Sequence, residues 1–141
     1  MQQFIEFATS HWDLFLALLV ILLMLSGTNL ISVIRGIKQV GPAEATQLIN
    51  HQGGIVIDVR EDKEFAEGHI INSLHMPMGS VQQRIPEIEK YKQKPVIVSC
   101  RSGARSNSVC GWLRKHNFEN VSNLKGGVMA WQNASLPLSK K

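Results

Sequence analysis

The sequence predicts an α/β fold, a parallel sheet with helices on both faces, preceded by one transmembrane helix. After Arg35, short runs of apolar and β-branched residues alternate with amphipathic stretches, a pattern typical of strand–helix–strand units. Two of these runs, at residues 55–57 and 96–98, are apolar throughout, as strands buried on both sides of a parallel sheet are. Residues 14–34 contain no ionisable side chain, and about 20 apolar residues suffice to cross a bilayer.

Turn and capping residues divide the part after Arg35 into elements. Pro42 fits the first turn of a helix, and Gly53 with Gly54 ends that helix before the first buried strand. Gly68 closes a short charged helix. The predicted elements are, in order, a helix over 41–49, a strand over 55–57, a helix over 61–67, a strand over 69–74, a helix over 81–91, a strand over 96–99, a helix over 103–116, a strand over 121–124 and a helix over 127–132.

The N-terminal segment is predicted to be a membrane anchor. Arg35 and Lys38 follow it and no basic residue precedes it, so the excess of positive charge on cytoplasmic loops places the following domain in the cytoplasm. A cleaved signal peptide and a buried core helix are the alternatives, and the missing basic start disfavours the signal peptide. The predicted organisation is a short N-terminal tail over 1–13, a transmembrane helix over 14–34, a linker over 35–39, a domain over 40–138 and a C-terminal tail over 139–141.

Charge and cysteine usage narrow the class of partner. All 15 basic residues lie at or after Arg35, but no basic run is interleaved with aromatic residues, so we expect no nucleic acid as partner. Cys100 is predicted to end a strand and Cys110 to lie within a helix, too far apart for a disulfide. Two free thiols suit a reducing compartment. The five histidines lie singly, without the spacing of metal ligands, so we expect no metal site.

Cys100 is the candidate nucleophile. It stands at the carboxyl end of the most apolar predicted strand, where open α/β sheets bind their ligands. The backbone N–H groups of the following loop, the start of the next helix and the side chains of Arg101 and Arg105 all favour an anion there. We therefore expect the pKa of this thiol to lie below its usual value of about 8.5. A buried structural cysteine is the alternative, and it is the one we favour for Cys110.

These residues carry a resemblance to a known family. The loop at residues 100–106, Cys-Arg-Ser-Gly-Ala-Arg-Ser, resembles the active-site loop of single-domain rhodaneses, the thiosulfate sulfurtransferases. An upstream motif over 58–70 and a C-terminal motif over 124–138 resemble those of the same family, although Ile71 and Asn72 replace its usual Pro-Gly. The resemblance covers most of the chain after Val40 and implies a rhodanese-like fold. With the N-terminal segment, the chain resembles the membrane-anchored bacterial type, which implies a single-pass protein of the inner membrane.

The resemblance implies a mechanism in which the Cys100 thiolate takes the outer sulfur of a small anionic donor such as thiosulfate. The persulfide formed on Cys100 then passes its sulfur to cyanide or to a thiol, and no cofactor takes part. The residues implied to bind the substrate are those of the loop: Arg101, Ser102, Gly103, Ala104 and Arg105. We expect Asp58, Arg60 and His69 to stabilise the fold through a polar network and Trp131 to belong to the core.

Two other functions compete with sulfur transfer. Cysteine phosphatases resemble the same fold, but their loop needs five residues between the cysteine and the arginine, and only four separate Cys100 from Arg105. A non-catalytic docking module at the membrane is the second alternative. The intact Cys100 and the two loop arginines argue against lost chemistry, although a docking role could accompany catalysis.

Overall fold

The computed structural model of the protein describes residues 1–34 and 36–140, with the side chains of Phe4, Ile5, Ala8 and residues 26–34 left out of the description. The chain divides into two compact units, Met1–Gly36 and Ile37–Lys141. The domain boundaries expected from the sequence stay a prediction.

The first unit consists of two helices, α1 (Gln2–Ser10) and α2 (Trp12–Ile34). The sequence pattern did not predict α1, which lies in the segment expected to be a tail. In α2, the large apolar side chains from Leu14 to Leu25 are each between 44% and 74% exposed. The predicted transmembrane helix over 14–34 continues into side chains outside the described part. Among the described residues, no helix combines the length and the apolarity needed to span a membrane.

The second unit is built around a five-stranded sheet whose described pairings are all parallel. Its strands follow the order β1-β6-β5-β2-β4, so the strand that precedes Cys100 is central. The elements of this unit are, in chain order, β1 (Lys38–Val40), α3 (Pro42–Gln52), β2 (Ile55–Asp58), α4 (Asp62–Glu67), β3 (His69–Ile70), β4 (Leu74–His75), α5 (Val81–Ile88) with a 3-10 turn (Glu89–Tyr91), β5 (Val96–Ser99), α6 (Ala104–Lys115), β6 (Val121–Leu124), α7 (Gly127–Asn133) and β7 (Leu138–Ser139).

The sheet is covered on both faces, which confirms the predicted α/β architecture. Alternate residues of β5 point to opposite sides: Val96 and Val98 pack with α5 and α6, while Ile97 packs with α3 and α7. All three side chains are at most 1% exposed. Full burial of such a side chain is worth about 1.5–3 kcal/mol, so the strand that precedes Cys100 is held firmly on both sides.

The single strand predicted over 69–74 is wrong, because the chain turns between two short strands. Asn72 has a φ of +61°, a left-handed conformation that asparagine tolerates and that interrupts a strand. As a result, β3 pairs antiparallel with β7 in a separate two-stranded sheet, whereas β4 pairs parallel with β2. A further difference is β1, which begins at Lys38 within the segment expected to be a linker and pairs with β6.

Candidate active site

Cys100 lies directly after β5 and is 1% exposed. Its backbone is bound to the start of α7, since Val128 N–H donates to the Cys100 carbonyl over 2.8 Å and Met129 N–H donates to the Arg101 carbonyl over 3.2 Å. Gly127 lies against the same carbonyl groups. The C-terminal motif therefore packs against the backbone of the cysteine loop and supports it.

The sulfur of Cys100 accepts hydrogen bonds from its own loop. Gly103 N–H donates to Sγ over 3.0 Å, and the Ser106 hydroxyl lies 3.3 Å from the same atom. Gly103 has a φ of +97°, a conformation that L side chains rarely adopt. Burial alone raises the pKa of Cys100, but hydrogen bonds from the Ser106 hydroxyl and from the N–H groups of Ser106, Gly103 and Ser102 outweigh it and lower the pKa below its ordinary value. The loop therefore stabilises a thiolate.

Arg105 is tied to helix α4. Its Nη2 and Nη1 donate to Glu64 Oε1 and Oε2 over 2.8 and 2.9 Å, a two-point geometry that guanidinium and carboxylate groups favour. This contact raises the pKa of Arg105, and the charge of Cys100 raises it further as a smaller cause. Glu64 also accepts the Glu61 N–H in the capping box of α4. The arginine thus supplies positive charge to the thiolate from a fixed position.

Replacement of Glu64 by glutamine is expected to destabilise the domain in a pH-dependent way. Chiefly through its hydrogen bonds with Arg105, the pKa of Glu64 is lowered from 4.5 to about 2. The carboxylate therefore stabilises the fold above about pH 4.5, and this contribution is lost as the pH falls toward 2. We expect the variant to lose about 1–2 kcal/mol of unfolding free energy at pH 7.

Urea denaturation at several pH values measures this difference between wild type and Glu64→Gln. The difference should shrink from pH 4.5 downward. Glu67→Gln is the matched control on the same helix, since Glu67 is exposed and its replacement should change stability by less than about 0.5 kcal/mol. A deficit of equal size at pH 7 and at pH 3 would contradict the assignment.

Arg101 lies at an open cleft beside the loop. The cleft measures about 280 Å³, and the residues that line it include Glu64, Glu67, Gly68, Met129 and Gln132. The Arg101 side chain is exposed, and within the described part of the chain no salt bridge engages it. Of the two loop arginines, Arg101 is therefore the one that is available to a dissolved anion. Of the other loop residues predicted to bind the substrate, Ser102 and Ala104 are exposed and Gly103 is buried.

The upstream motif forms the polar network that the sequence suggested. Arg60 is 6% exposed, and its Nε and Nη2 donate to the Asp58 carboxylate over 2.8–3.0 Å. Its Nη2 also donates to the Gly68 carbonyl over 2.7 Å. Phe65 stacks between the rings of His69 and His75. These contacts join β2, α4 and β3, which confirms the predicted polar network.

Two residues near the sulfur were missed as site residues. Ser106 belongs to the recognised loop but stands one position beyond the predicted set, and Asn123 lies on β6. The Ser106 Oγ is 2.6 Å from Asn123 Oδ1, and Asn123 Nδ2 donates to the Gly103 carbonyl over 3.0 Å. An available signal was the polar pair Ser122 and Asn123 within the short strand predicted over 121–124. Cys110 is fully buried, and burial raises its pKa, as expected of a structural thiol.

Comparison with known proteins identifies the family. The model of the rhodanese-like domain matches residues 41–134. The chain belongs to the rhodanese-like domain family. Among its relatives are the uncharacterized protein YibN of Escherichia coli K12, 34% identical over 98% of this chain and 97% of that protein, and the thiosulfate sulfurtransferase GlpE of Coxiella burnetii, 35% identical over 67% and 87%.

The fold agrees with solved structures of the family. A rhodanese-related protein from Thermoplasma volcanium superimposes with a TM-score of 0.67 at 25% identity, covering 74% of this chain and 99% of that one. In this rhodanese-like domain, the carboxyl end of the central strand carries Cys100 at the start of a loop whose donors face its sulfur. Relatives of the chain carry the name sulfurtransferase, and the substrates of a sulfurtransferase are a sulfur donor and a sulfur acceptor.

Proposed function

We propose that this protein is a rhodanese-type sulfurtransferase that moves a sulfane sulfur from a donor such as thiosulfate to cyanide or a thiol, through a persulfide on Cys100. The observation that carries the proposal is the buried Cys100 sulfur, which accepts hydrogen bonds from Gly103 N–H and faces the Ser106 hydroxyl. The thiosulfate sulfurtransferase among the relatives supports the choice of donor.

The reaction takes place in two displacements at sulfur. The Cys100 thiolate attacks the outer sulfur of thiosulfate, and the S–S bond of the donor breaks so that sulfite leaves with the bonding electrons. The persulfide anion remains within reach of the loop N–H groups, which act as preorganised donors. Cyanide or a thiolate then attacks the outer sulfur of the persulfide, and Cys100 leaves as the thiolate, ready for the next cycle.

The loop residues have separate proposed roles in these steps. Arg101, exposed at the cleft, attracts the anionic donor. The backbone N–H groups from Ser102 to Ala104 surround the transferred sulfur, and Gly103 donates directly to Sγ. Arg105 contributes positive charge while bound to Glu64.

Replacement of Arg101 by alanine is expected to weaken donor binding more than chemistry. A charge-assisted contact to a dianion is worth roughly a factor of ten in affinity, so the KM for thiosulfate should rise about tenfold while kcat changes less. Arg101→Lys keeps the charge and should recover most of the loss. Steady-state thiocyanate formation at varied thiosulfate measures both constants, and an unchanged KM in the alanine variant would contradict the role.

A comparison of two assays separates this function from phosphate chemistry. Phosphatase activity is disfavoured because only four residues separate Cys100 from Arg105 and because Glu64 already occupies two donors of that arginine. The purified protein should form thiocyanate from thiosulfate and cyanide and should leave an aryl phosphate intact. Hydrolysis of the aryl phosphate without sulfur transfer would overturn the proposal.

We also propose that residues 14–34 hold the protein in the inner membrane as a single-pass anchor, with the rhodanese-like domain in the cytoplasm. The uncharged sequence of this segment and the exposed apolar side chains from Leu14 to Leu25 support it. The full chain should remain in washed membranes, whereas Leu18→Lys with Leu22→Lys should release it. Recovery of the unmodified chain in the supernatant would contradict the anchor.

A further inference from the structure

The Ser106 hydroxyl lies between two hydrogen-bond acceptors. Its Oγ is 3.3 Å from Cys100 Sγ and 2.6 Å from Asn123 Oδ1. A serine hydroxyl carries one proton and donates one hydrogen bond at a time. Both Ser106 and Cys100 are at most 1% exposed, so bulk water does not offer the hydroxyl another partner. The hydroxyl therefore donates its hydrogen bond either to Sγ of Cys100 or to Oδ1 of Asn123.

The amide of Asn123 is held in one orientation. Its Nδ2 donates to the Gly103 carbonyl over 3.0 Å and to Gln39 Oε1 over 2.9 Å. A backbone carbonyl only accepts, so the NH₂ group must face Gly103 and the oxygen must face Ser106. Asn123 is 3% exposed and lies on β6, which pairs with β5, the strand that precedes Cys100. The second acceptor is thus a fixed feature of the sheet.

We propose that Asn123 is a positioning residue for Cys100, because its Oδ1 accepts the hydrogen bond of the Ser106 hydroxyl while Cys100 carries sulfur, and the hydroxyl turns to Sγ when Cys100 is a free thiolate. The inference rests on the proposed sulfurtransferase function. In the persulfide the negative charge lies on the outer sulfur, and Sγ becomes a poorer acceptor. The hydroxyl then turns to Asn123, so a buried donor is never left without a partner, which is costly.

Asn123 acts on the thiolate by two routes that have opposite signs. Its Oδ1 competes with Sγ for the Ser106 proton, and this disfavours the thiolate. Its Nδ2 supports the Gly103 carbonyl, which helps to keep the Gly103 N–H on Sγ. Only the first route passes through Ser106, so removal of the serine hydroxyl separates the two. The native charged and titratable groups around the site, which are Arg101, Arg105, Glu61, Glu64 and Cys110, are kept in every variant, and only Asn123→Asp adds a charge.

A double-mutant cycle on the full-length protein tests the proposal. The rate of Cys100 alkylation by iodoacetamide is measured against pH in wild type, Asn123→Ala, Ser106→Ala and the double variant. Peptide mass spectrometry reads Cys100 separately from the buried Cys110. We expect Asn123→Ala to move the midpoint about half a pH unit lower in the presence of Ser106 than in its absence. Equal shifts in both backgrounds, or a difference of opposite sign, would overturn the proposal.

Asn123→Asp provides a second variant of similar size for the same cycle. Its carboxylate is a stronger acceptor for the Ser106 proton, so the midpoint should move higher with Ser106 than without it, and an equal movement in both backgrounds contradicts the competition. Gln39→Ala removes only the outer contact of the amide and is the matched control, with a midpoint close to wild type. Alkylation needs no sulfur donor, so a negative result here leaves the sulfurtransferase function to be judged by persulfide formation.

Discussion

Replacement of Cys100 by serine is expected to abolish transfer of sulfur from thiosulfate to cyanide. A serine hydroxyl stays protonated at neutral pH and does not form a persulfide, whereas the loop donors and both arginines remain in place. Since the covalent step depends on this one atom, the rate should fall at least about 1000-fold. Thiocyanate formation by the purified variant is the measurement, and an unchanged melting temperature would show that the fold is retained.

Cys110→Ala is the matched control for the cysteine replacement. Cys110 is buried in the same apolar cluster as Cys100, but it lies within α6, whereas Cys100 begins the loop whose donors face its sulfur. Its removal should cost some stability and leave sulfur transfer within a few-fold of wild type. If Cys100→Ser kept the activity and Cys110→Ala lost it, the assignment of the nucleophile would be wrong.

Replacement of Gly127 by alanine is expected to give the largest loss of stability. A Cβ at this position would overlap the Cys100 carbonyl oxygen and lie 2.6 Å from the carbonyl carbon and oxygen of Arg101. The φ of +59° adds strain for any L side chain. Because the obstacle is backbone, the cysteine loop or α7 must move, and we expect a loss of about 3 kcal/mol in unfolding free energy. Sulfur transfer per folded molecule should fall as well.

Gly79→Ala is the control for this effect, because a Cβ at Gly79 meets nothing within 4 Å. Its unfolding free energy should stay within about 0.5 kcal/mol of wild type. Urea denaturation gives both values under the same conditions. Equal stability of the two variants would mean that the close approach of α7 to the cysteine loop does not support the fold.

The central elements could be predicted from the sequence because their apolar pattern is dictated by burial. Strands β2, β5 and β6 were placed within a residue of their observed bounds, and the glycines that end α3 and α4 were recognised as stops. The short edge strand β1 was not predicted, since Lys38 and Gln39 are exposed and only Val40 is buried. Its strand conformation depends on pairing with β6, more than 80 residues later.

The residues of the cysteine loop could be predicted from the sequence, but the contacts that they make with other elements could not. Cys100 and its neighbours are contiguous, so the motif and the strand before it locate them together. The contacts that define the environment of the sulfur join distant parts of the chain: Arg105 binds Glu64 on α4, and Ser106 meets Asn123 on β6. No local pattern predicts such pairs. From the sequence, we expected Arg105 to be a free anion-binding group. In the structure, its guanidinium group instead binds the carboxylate of Glu64.

The central claim is that Cys100 carries the sulfur between donor and acceptor. Its most direct test is mass spectrometry of the protein after incubation with thiosulfate, with alkylation to trap the product and fragmentation to locate it. We expect a gain of one sulfur atom on the peptide that contains Cys100, and we expect this sulfur to be lost again on addition of cyanide. No added sulfur, or sulfur on Cys110 alone, would contradict it.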